Sequence, residues 1–460
     1  MLSETRGLRS RTLGFWSIVC LAVGGTIGTW VVDMTYWFQL SGAGCLWGLA
    51  LAGACVLPLA LCYSELNGML PFAGGEPVWT TNAFGWFLGW LQGWALTLLY
   101  LLALTWVIYG IGTIAIYAFP DLAFSTIRLI GVALLLIWLV MSELKVEIGG
   151  MTATVMVFAM ILGAVIVWAF FFSSGEWHYS TLTPWFPQGA GGFGLVVGIL
   201  VFKFVGFDLV PQFAEESKYP FKNIWKVYLV VLLITFGVYA MAILANGGIW
   251  GWERIAGATM IDPIIADELG LHVLAWVIVV VAILTVITVM PGFWAAASRV
   301  LYGMAKQRQM PLVLAKTNRF GQPWVANILV GVFAIYFAYF SPEAWVEYIY
   351  TIFSFTAGII YLLVALSFIA LRIKHPEWKR PYLAPRWIVC GSIAAAYCAW
   401  VIYTSLAQIT IEGVMALIGF YAVGVIFLIY VWRKRKVEPE KYKLHTLTPE
   451  DISEDVRQRM

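Results

Sequence analysis

The feature that most constrains this chain is a series of long apolar segments, each close to the length that a helix needs to cross a lipid bilayer. A span takes roughly 20 mainly apolar residues, and the alternating pattern of barrel strands does not occur. Only 12 % of the residues are charged, whereas 62 % are hydrophobic. The sequence therefore predicts an all-α integral membrane protein with twelve transmembrane helices. The predicted helices, numbered 1 to 12, are 15–38, 42–66, 86–118, 124–142, 150–173, 192–216, 224–248, 271–303, 324–341, 346–372, 387–409 and 413–432.

The basic residues predict the orientation of these helices. The chain has 28 lysines and arginines, and with a cytoplasmic amino terminus nearly all of them fall in the inner segments. Only Arg128, near the outer end of helix 4, and Arg254, in an outer loop, fall on the predicted outer side, and Lys203 lies inside helix 6. This asymmetry is the positive-inside pattern. We therefore expect a multi-pass protein of the cytoplasmic membrane with both termini cytoplasmic, and we expect the polar tail 437–460 to be solvated.

Soluble-enzyme motifs are missing from the sequence. The four histidines stand in loops, at helix ends or in the tail, and no zinc-protease, serine-hydrolase or phosphate-loop motif occurs. All six cysteines lie within predicted spans, where they are expected to be small apolar packing residues. The net charge of +3 follows from the membrane topology. We expect no enzyme activity, no metal or cofactor and no nucleic-acid partner.

Two of the predicted helices contain interruptions. Helix 1 carries Gly24, Gly25 and Gly28 at its middle, in the stretch "GGTIGTWVVDM". An unwound turn there is tolerated only where it lines a cavity, although the glycines are equally consistent with close helix packing. Helix 6, "VFKFVGFDLVPQFAEE", carries Gly206 and Pro211 five helices later. Interrupted helices at matching positions of two halves are typical of inverted-repeat transporters with a midplane site.

The chain resembles the amino acid, polyamine and organocation transporter superfamily. The resemblance is carried by "GGTIGTWV", "YSELNGMLPFAGGEPVW", "FVGFDLVPQFAEESKYPFKNI", "SRVLYGMAKQRQMPLVLAKTN" and "LRIKHPEWKRPYLAPRW", which occur in order along most of the chain. It implies a LeuT-type fold in which helices 1–5 and 6–10 are inverted repeats and helices 11 and 12 are appended. It also implies secondary transport of amino acids or related amines by alternating access.

The predicted domains follow from this resemblance: a cytoplasmic amino terminus, 1–12; a first repeat, 13–173; a second repeat, 192–373; helices 11 and 12, 386–432; and a cytoplasmic tail, 433–460.

The resemblance also implies a substrate site at the two breaks. The amides around Gly28, Thr29 and Trp30 are expected to face a carboxylate, because a broken helix presents free N–H groups and a positive dipole end. The carbonyls of Thr26, Phe202 and Val205 are expected to face the amine, with Phe202 as an aromatic gate. The predicted substrate-binding residues are Thr26, Ile27, Gly28, Thr29, Trp30, Phe202, Val205 and Gly206.

One departure from the superfamily pattern lies inside this site. Relatives usually have Gly-Ser/Thr-Gly at the break, whereas this chain has Gly28-Thr29-Trp30. The indole either narrows the pocket, stacks on a cationic substrate, or packs outward. An amine substrate with an altered carboxylate site, as in an amine or polyamine exchanger, therefore stays an alternative to an amino acid.

Charges within the spans are the other departure. Lys203, Asp33 and Asp208 are candidates for coupling or for substrate charge, because charges in a membrane are costly unless they are paired or hydrated. Lys203 and Asp33 either form a structural ion pair or act on the substrate and a coupling proton. The lysine that replaces sodium in helix 5 of some relatives is missing, so symport, exchange and uniport all stay open. A channel or a membrane enzyme is less supported, since neither pore repeats nor intramembrane ligand clusters occur.

Overall fold

The computed structural model describes residues 7–28, 30–340 and 345–460, and its regular structure is helical. Within these ranges no β-strand occurs, and a single isolated bridge joins Leu13 to Ser217. The α-helices are α1 (Phe15–Thr26), α2 (Trp30–Ser41), α3 (Cys45–Met69), α4 (Glu76–Phe84), α5 (Trp86–Ala118), α6 (Phe124–Ser142), α7 (Val146–Ser173), α8 (Gly189–Ile199), α9 (Ile224–Gly247), α10 (Trp252–Ala256), α11 (Ile261–Glu268), α12 (His272–Ile287), α13 (Val289–Lys306), α14 (Trp324–Phe340), α15 (Trp345–Lys374), α16 (Trp387–Leu406), α17 (Ile411–Val437), α18 (Pro439–Tyr442) and α19 (Glu454–Arg457).

Among the described residues, ten helical segments are long and apolar enough to cross a membrane, and two shorter apolar helices, α1 and α14, accompany them. One of the ten is a continuous run, Trp30–Met69, that contains both α2 and α3. A 3-10 turn at Gly42–Gly44 separates these two helices, and Gly42 has a φ of 55°, which favours glycine. The protein is therefore a multi-pass membrane protein. The count of twelve crossings and the 5+5 repeat stay predictions.

The surface of several helices is apolar. Large hydrophobic side chains are exposed on α6, α7, α12 and α17, among them Leu129, Val140, Val155, Val280 and Ile426. Apolar surface of this extent is what a lipid environment covers.

The two predicted interruptions are confirmed. Helix 1 is divided into α1, which ends at Thr26, and α2, which begins at Trp30; the helix 1 break lies between them, and Ile27 and Gly28 are its described residues. Helix 6 runs as α8 and then as a 3-10 helix, Leu200–Phe204, before it is broken at Val205 and Gly206, the helix 6 break. A second 3-10 helix, Phe207–Phe213, completes it.

The tail does not match its prediction. We expected 437–460 to be solvated, but Leu447, Ile452 and Val456 are buried. The Arg459 guanidinium donates to the backbone carbonyls of Ala214, Glu215 and Ser217, and its side chain is only 7 % exposed. The prediction was wrong because three apolar side chains of the tail are buried even though most of its residues are polar. In addition, Arg459 binds the tail to the end of helix 6.

Candidate functional site

The helix 6 break lies against the last turn of α1, directly before the helix 1 break. A β-carbon on Gly206 would stand 2.7 Å from the backbone nitrogen of Thr26 and 2.9 Å from the carbonyl oxygen of Ala22. Gly206 also has a φ of 133°, a conformation that L side chains rarely adopt. Only glycine therefore fits at this position, and its lack of a side chain is what allows the two breaks to meet.

A tyrosine hydroxyl forms hydrogen bonds with the backbone polar groups at the helix 1 break. The backbone N–H of Gly28 donates to the Tyr239 hydroxyl at 3.1 Å, and that hydroxyl lies 2.5 Å from the Thr26 carbonyl oxygen, to which it donates. The side chain of Thr26 is bonded to Thr235 at 2.6 Å. Ile27 is fully buried, and Thr29 lies outside the described residues. Tyr239, in α9, was not predicted as a site residue. The sequence indicates it only through its hydroxyl group, which needs a hydrogen-bond partner within an otherwise apolar helix.

The glycines of helix 1 serve different purposes. A β-carbon on Gly24 would stand 2.8 Å from the Thr288 carbonyl oxygen, and one on Gly25 would stand 2.8 Å from Leu209. A β-carbon on Gly28 would meet its nearest neighbour, Val289, only at 3.8 Å. Close packing thus explains the first two glycines, whereas Gly28 belongs to the break.

The Trp30 indole packs against α7 and α11. Its ring lies 5.5 Å from that of Trp168 in α7, centroid to centroid, and its Nε1–H donates to Asp262 Oδ1 at 3.4 Å. Asp262 belongs to α11, in the loop between α9 and α12. Burial raises the pKa of the Asp262 carboxyl, and the side-chain N–H donors around it oppose that rise. Asp262 was not predicted from the sequence.

Lys203 and Asp33 form a buried ion pair. The Lys203 ammonium also lies 4.9 Å from the centre of the Trp37 ring and 5.4 Å from that of Tyr239. Aromatic faces attract a cation electrostatically. The structure therefore joins the two charged residues that the sequence singled out, and it holds the lysine with a carboxylate and aromatic faces.

The predicted aromatic gate, Phe202, lies between rings of two other helices. Its ring centroid is 5.3 Å from that of Trp106 in α5 and 4.5 Å from that of Phe353 in α15. Its carbonyl oxygen accepts a bond from the Val205 N–H at 3.3 Å. Phe202 thus bridges α5 and α15 from the middle of the 3-10 helix Leu200–Phe204.

Asp208 belongs to a second group of buried polar residues. Its Oδ1 accepts from the Gly206 N–H at 2.7 Å, and its Oδ2 has no hydrogen-bond partner in the described part of the chain. Glu76, at the start of α4, is also fully buried, and its Oε2 accepts from Gln212 at 2.6 Å. Burial raises the pKa of the Glu76 carboxyl well above its usual range. Glu76 was missed because it follows a loop and stands outside the predicted spans.

Two further carboxylates form ion pairs near the chain's basic loops. Arg299 in α13 holds Glu216 through two bonds, of 2.5 and 2.8 Å. Glu65 in α3 accepts from Arg372 and Arg380. These pairs join helix 6 to α13 and α3 to α15, and they make no contact with the helix 1 break.

A multi-pass helical protein in which two interrupted helices meet has the construction of a transporter for small molecules. The sequence matches the model of a family described as "Amino acid permease" over residues 13–431. The chain belongs to this family, within the amino acid, polyamine and organocation transporter superfamily, whose members are transporters and not enzymes.

Curated relatives align along nearly the whole chain. The branched-chain amino acid permease BcaP of Bacillus subtilis is 25 % identical over 95 % of this chain and 97 % of its own. The methylthioribose transporter of the same organism is 27 % identical over 94 % and 95 %. Its gamma-aminobutyric acid permease is 25 % identical over 91 % and 92 %. The chain thus aligns with these three transporters over nearly their whole length, and their names give different substrates.

Proposed function

We propose that this protein is a secondary active transporter that moves an amino acid or a related amine across the cytoplasmic membrane by alternating access. The observation that carries the proposal is the contact of the helix 6 break, at Gly206, with Thr26, the residue that precedes the helix 1 break. Backbone polar groups exposed by a break can bind both ends of a zwitterion, because N–H groups suit a carboxylate and carbonyls suit an ammonium.

The site that we propose consists mainly of main-chain groups. The amides of Gly28, Thr29 and Trp30 bind the carboxylate, and the carbonyls of Thr26, Phe202 and Val205 bind the amine. The buried Ile27 and Gly206 shape the space between them. The Tyr239 hydroxyl already bonds to the helix 1 break on both its donor and acceptor sides. The substrate therefore exchanges bonds with this hydroxyl as it enters.

The topology that we propose has twelve transmembrane helices. Residues 13–173 and 192–373 form the two inverted five-helix repeats, and 386–432 adds the last two helices. The segments 1–12 and 433–460 are cytoplasmic, which agrees with the clustering of basic residues in the inner loops. Lipid covers the exposed apolar faces of α6, α7, α12 and α17.

Charge balance favours a zwitterionic substrate. Lys203 and Asp33 neutralise each other beside the site, so the pair by itself attracts neither a cation nor an anion. Relatives named for branched-chain amino acids and for gamma-aminobutyric acid support a substrate with both an amine and a carboxylate. The alternative, an amine or polyamine exchanger with an altered carboxylate site, requires Asp33 to leave Lys203 and receive the substrate ammonium.

A proton is the coupling ion that we propose. Two groups can take up this proton beside the site. One is Asp208, which accepts a hydrogen bond from the helix 6 break, and the other is the Asp33–Lys203 pair. A carboxylate bonded to the break changes its hydrogen bonding when it takes up a proton, and the backbone beside it responds.

Uptake into proteoliposomes tests the proposal. The panel contains labelled leucine, phenylalanine, gamma-aminobutyrate, putrescine and methylthioribose, each measured with and without an inward proton gradient and with unlabelled compound inside. We expect saturable, trans-stimulated uptake of an amino acid that the proton gradient increases. Uptake of putrescine alone supports the amine alternative. High unsaturable conductance or product formation overturns the transporter proposal.

A further inference from the structure

Helix α11 carries a buried acidic residue into contact with the transmembrane helices. It lies in the loop between α9 and α12 and contacts α2, α9 and α12. In the proposed topology this loop is on the outer side, opposite the termini. Its buried face comprises Ile261, Asp262, Pro263, Ile265 and Ala266. Asp262 is the one ionisable residue on that face.

Three donors from three different helices converge on one oxygen of Asp262. Oδ1 accepts from Trp30 Nε1 in α2 at 3.4 Å, from Trp168 Nε1 in α7 at 3.3 Å and from Asn246 Nδ2 in α9 at 3.1 Å. The two indole bonds are long for an N–H···O bond, so each is weak and easily exchanged. Together they connect the outer loop to the first residue after the helix 1 break.

The position of Asp262 is costly for packing alone. It is 1 % exposed, it has no cationic partner in the described part of the chain, and its Oδ2 has no hydrogen-bond partner there. An apolar residue of similar size would avoid the desolvation of a carboxyl group. The carboxylate thus adds directional, reversible hydrogen bonds between α11 and its neighbours, whereas an apolar side chain would contribute only packing contacts.

We propose that Asp262 is a positioning residue that holds the outer face of the transporter closed by fastening α11 to Trp30 beside the helix 1 break. This inference rests on the proposed alternating access, because the outer face must open and close only in such a cycle. When the outer face opens, α11 leaves α2, and the three N–H groups exchange Asp262 for water. Trp30 is therefore the residue through which the outer loop acts on the break.

The test compares Asp262→Ala and Asp262→Asn with Glu253→Gln, a control at an exposed acidic residue of the same loop, in α10. Loss of the link favours the outward-open population, which raises apparent affinity at the outer face and slows turnover. We expect Asp262→Ala to lower both KM and kcat for outer substrate about tenfold. Asp262→Asn, which keeps an acceptor oxygen, should lie between Asp262→Ala and the wild type. The probe is leucine, or the panel compound with the largest wild-type flux.

Two further measurements complete the test. Trp30→Phe should shift KM and kcat in the same direction, and adding it to Asp262→Ala should change little more. Hydrogen exchange in liposomes should quicken in α11 and in the first turn of α2 for Asp262→Ala but not for Glu253→Gln.

The outcomes separate this inference from the proposed function. Unchanged KM and kcat per folded molecule in Asp262→Ala overturn the inference, while wild-type flux leaves the transporter proposal standing. A smaller folded yield with unaltered KM also overturns it, because that result describes a purely structural residue. If the wild type carries no panel compound, the transporter proposal fails, and unchanged hydrogen exchange at α2 then overturns the link as well.

Discussion

Lys203 and Asp33 are ion-paired in the interior of the protein, and the pair connects the first 3-10 helix of helix 6 to α2. Asp33 follows the helix 1 break and Lys203 precedes the helix 6 break, so the pair joins the two interrupted helices near their breaks. A buried ion pair is weak support for stability, but loss of one partner leaves the other charge without compensation. Each of the two charges is therefore tolerated in the protein interior only while the other is present.

Replacing Lys203 tests this dependence. Lys203→Met keeps the side-chain length and removes the charge, so Asp33 loses its ionic partner and stability should fall by about 3–5 kcal/mol. The double variant Lys203→Met/Asp33→Asn should recover most of that loss. Thermal unfolding in detergent measures stability, and uptake across a pH series measures function. Full wild-type transport by Lys203→Met at every pH would rule out a functional role for the lysine.

Replacing Trp30 by glycine restores the residue that relatives usually have at this position. Because the indole packs against Trp168, its removal should open a cavity and cost about 3–5 kcal/mol. The order in which the variant prefers substrates should stay unchanged, because we assign the ring to packing against α7 and not to the substrate site. Melting temperature and a ligand ranking on the same preparation check both points. A gain of ordinary α-amino acids as ligands would instead show that the indole narrows the pocket.

Gly206 and Gly237 form a matched pair of glycines. Gly206→Ala places a methyl group 2.7 Å from Thr26 in a backbone conformation that suits glycine alone, so it should force the breaks apart and abolish saturable uptake. Gly237→Ala, in α9, meets no atom within 4 Å and should retain transport. Size-exclusion profiles confirm that both variants are folded. Wild-type uptake by folded Gly206→Ala contradicts the proposed site.

Arg459 tests the structure of the tail. Its guanidinium donates to three backbone carbonyls at the end of helix 6, and hydrogen bonds from a charged group contribute roughly 1.5–3 kcal/mol each at most. Arg459→Ala should therefore release the tail and increase its cleavage by a protease severalfold. Lys443→Ala, an exposed lysine in the same tail, is the control. Equal cleavage of the two variants would mean that Arg459 does not hold the tail.

Local features of the chain were predictable because each depends on a short stretch of sequence. The apolar segments follow from the thickness of a bilayer, which demands a certain run of apolar residues. The break after Thr26 follows from a glycine-rich stretch, and the break at Gly206 from one glycine followed by Pro211, because both residue types weaken a helix. Lys203 and Asp33 were conspicuous because charges inside spans are rare, and their pairing was one of two stated alternatives.

The sequence by itself determined that the chain is a helical membrane protein with two interrupted helices, because backbone hydrogen bonding in lipid permits few other solutions. Only the tertiary structure decided which partners those helices meet. Trp30 faces Asp262, and Tyr239 caps the helix 1 break, across separations of more than 200 residues. Such contacts depend on the relative rotation and depth of packed helices. Neither quantity is written in the local pattern of apolar and polar residues, since many arrangements bury the same apolar faces equally well.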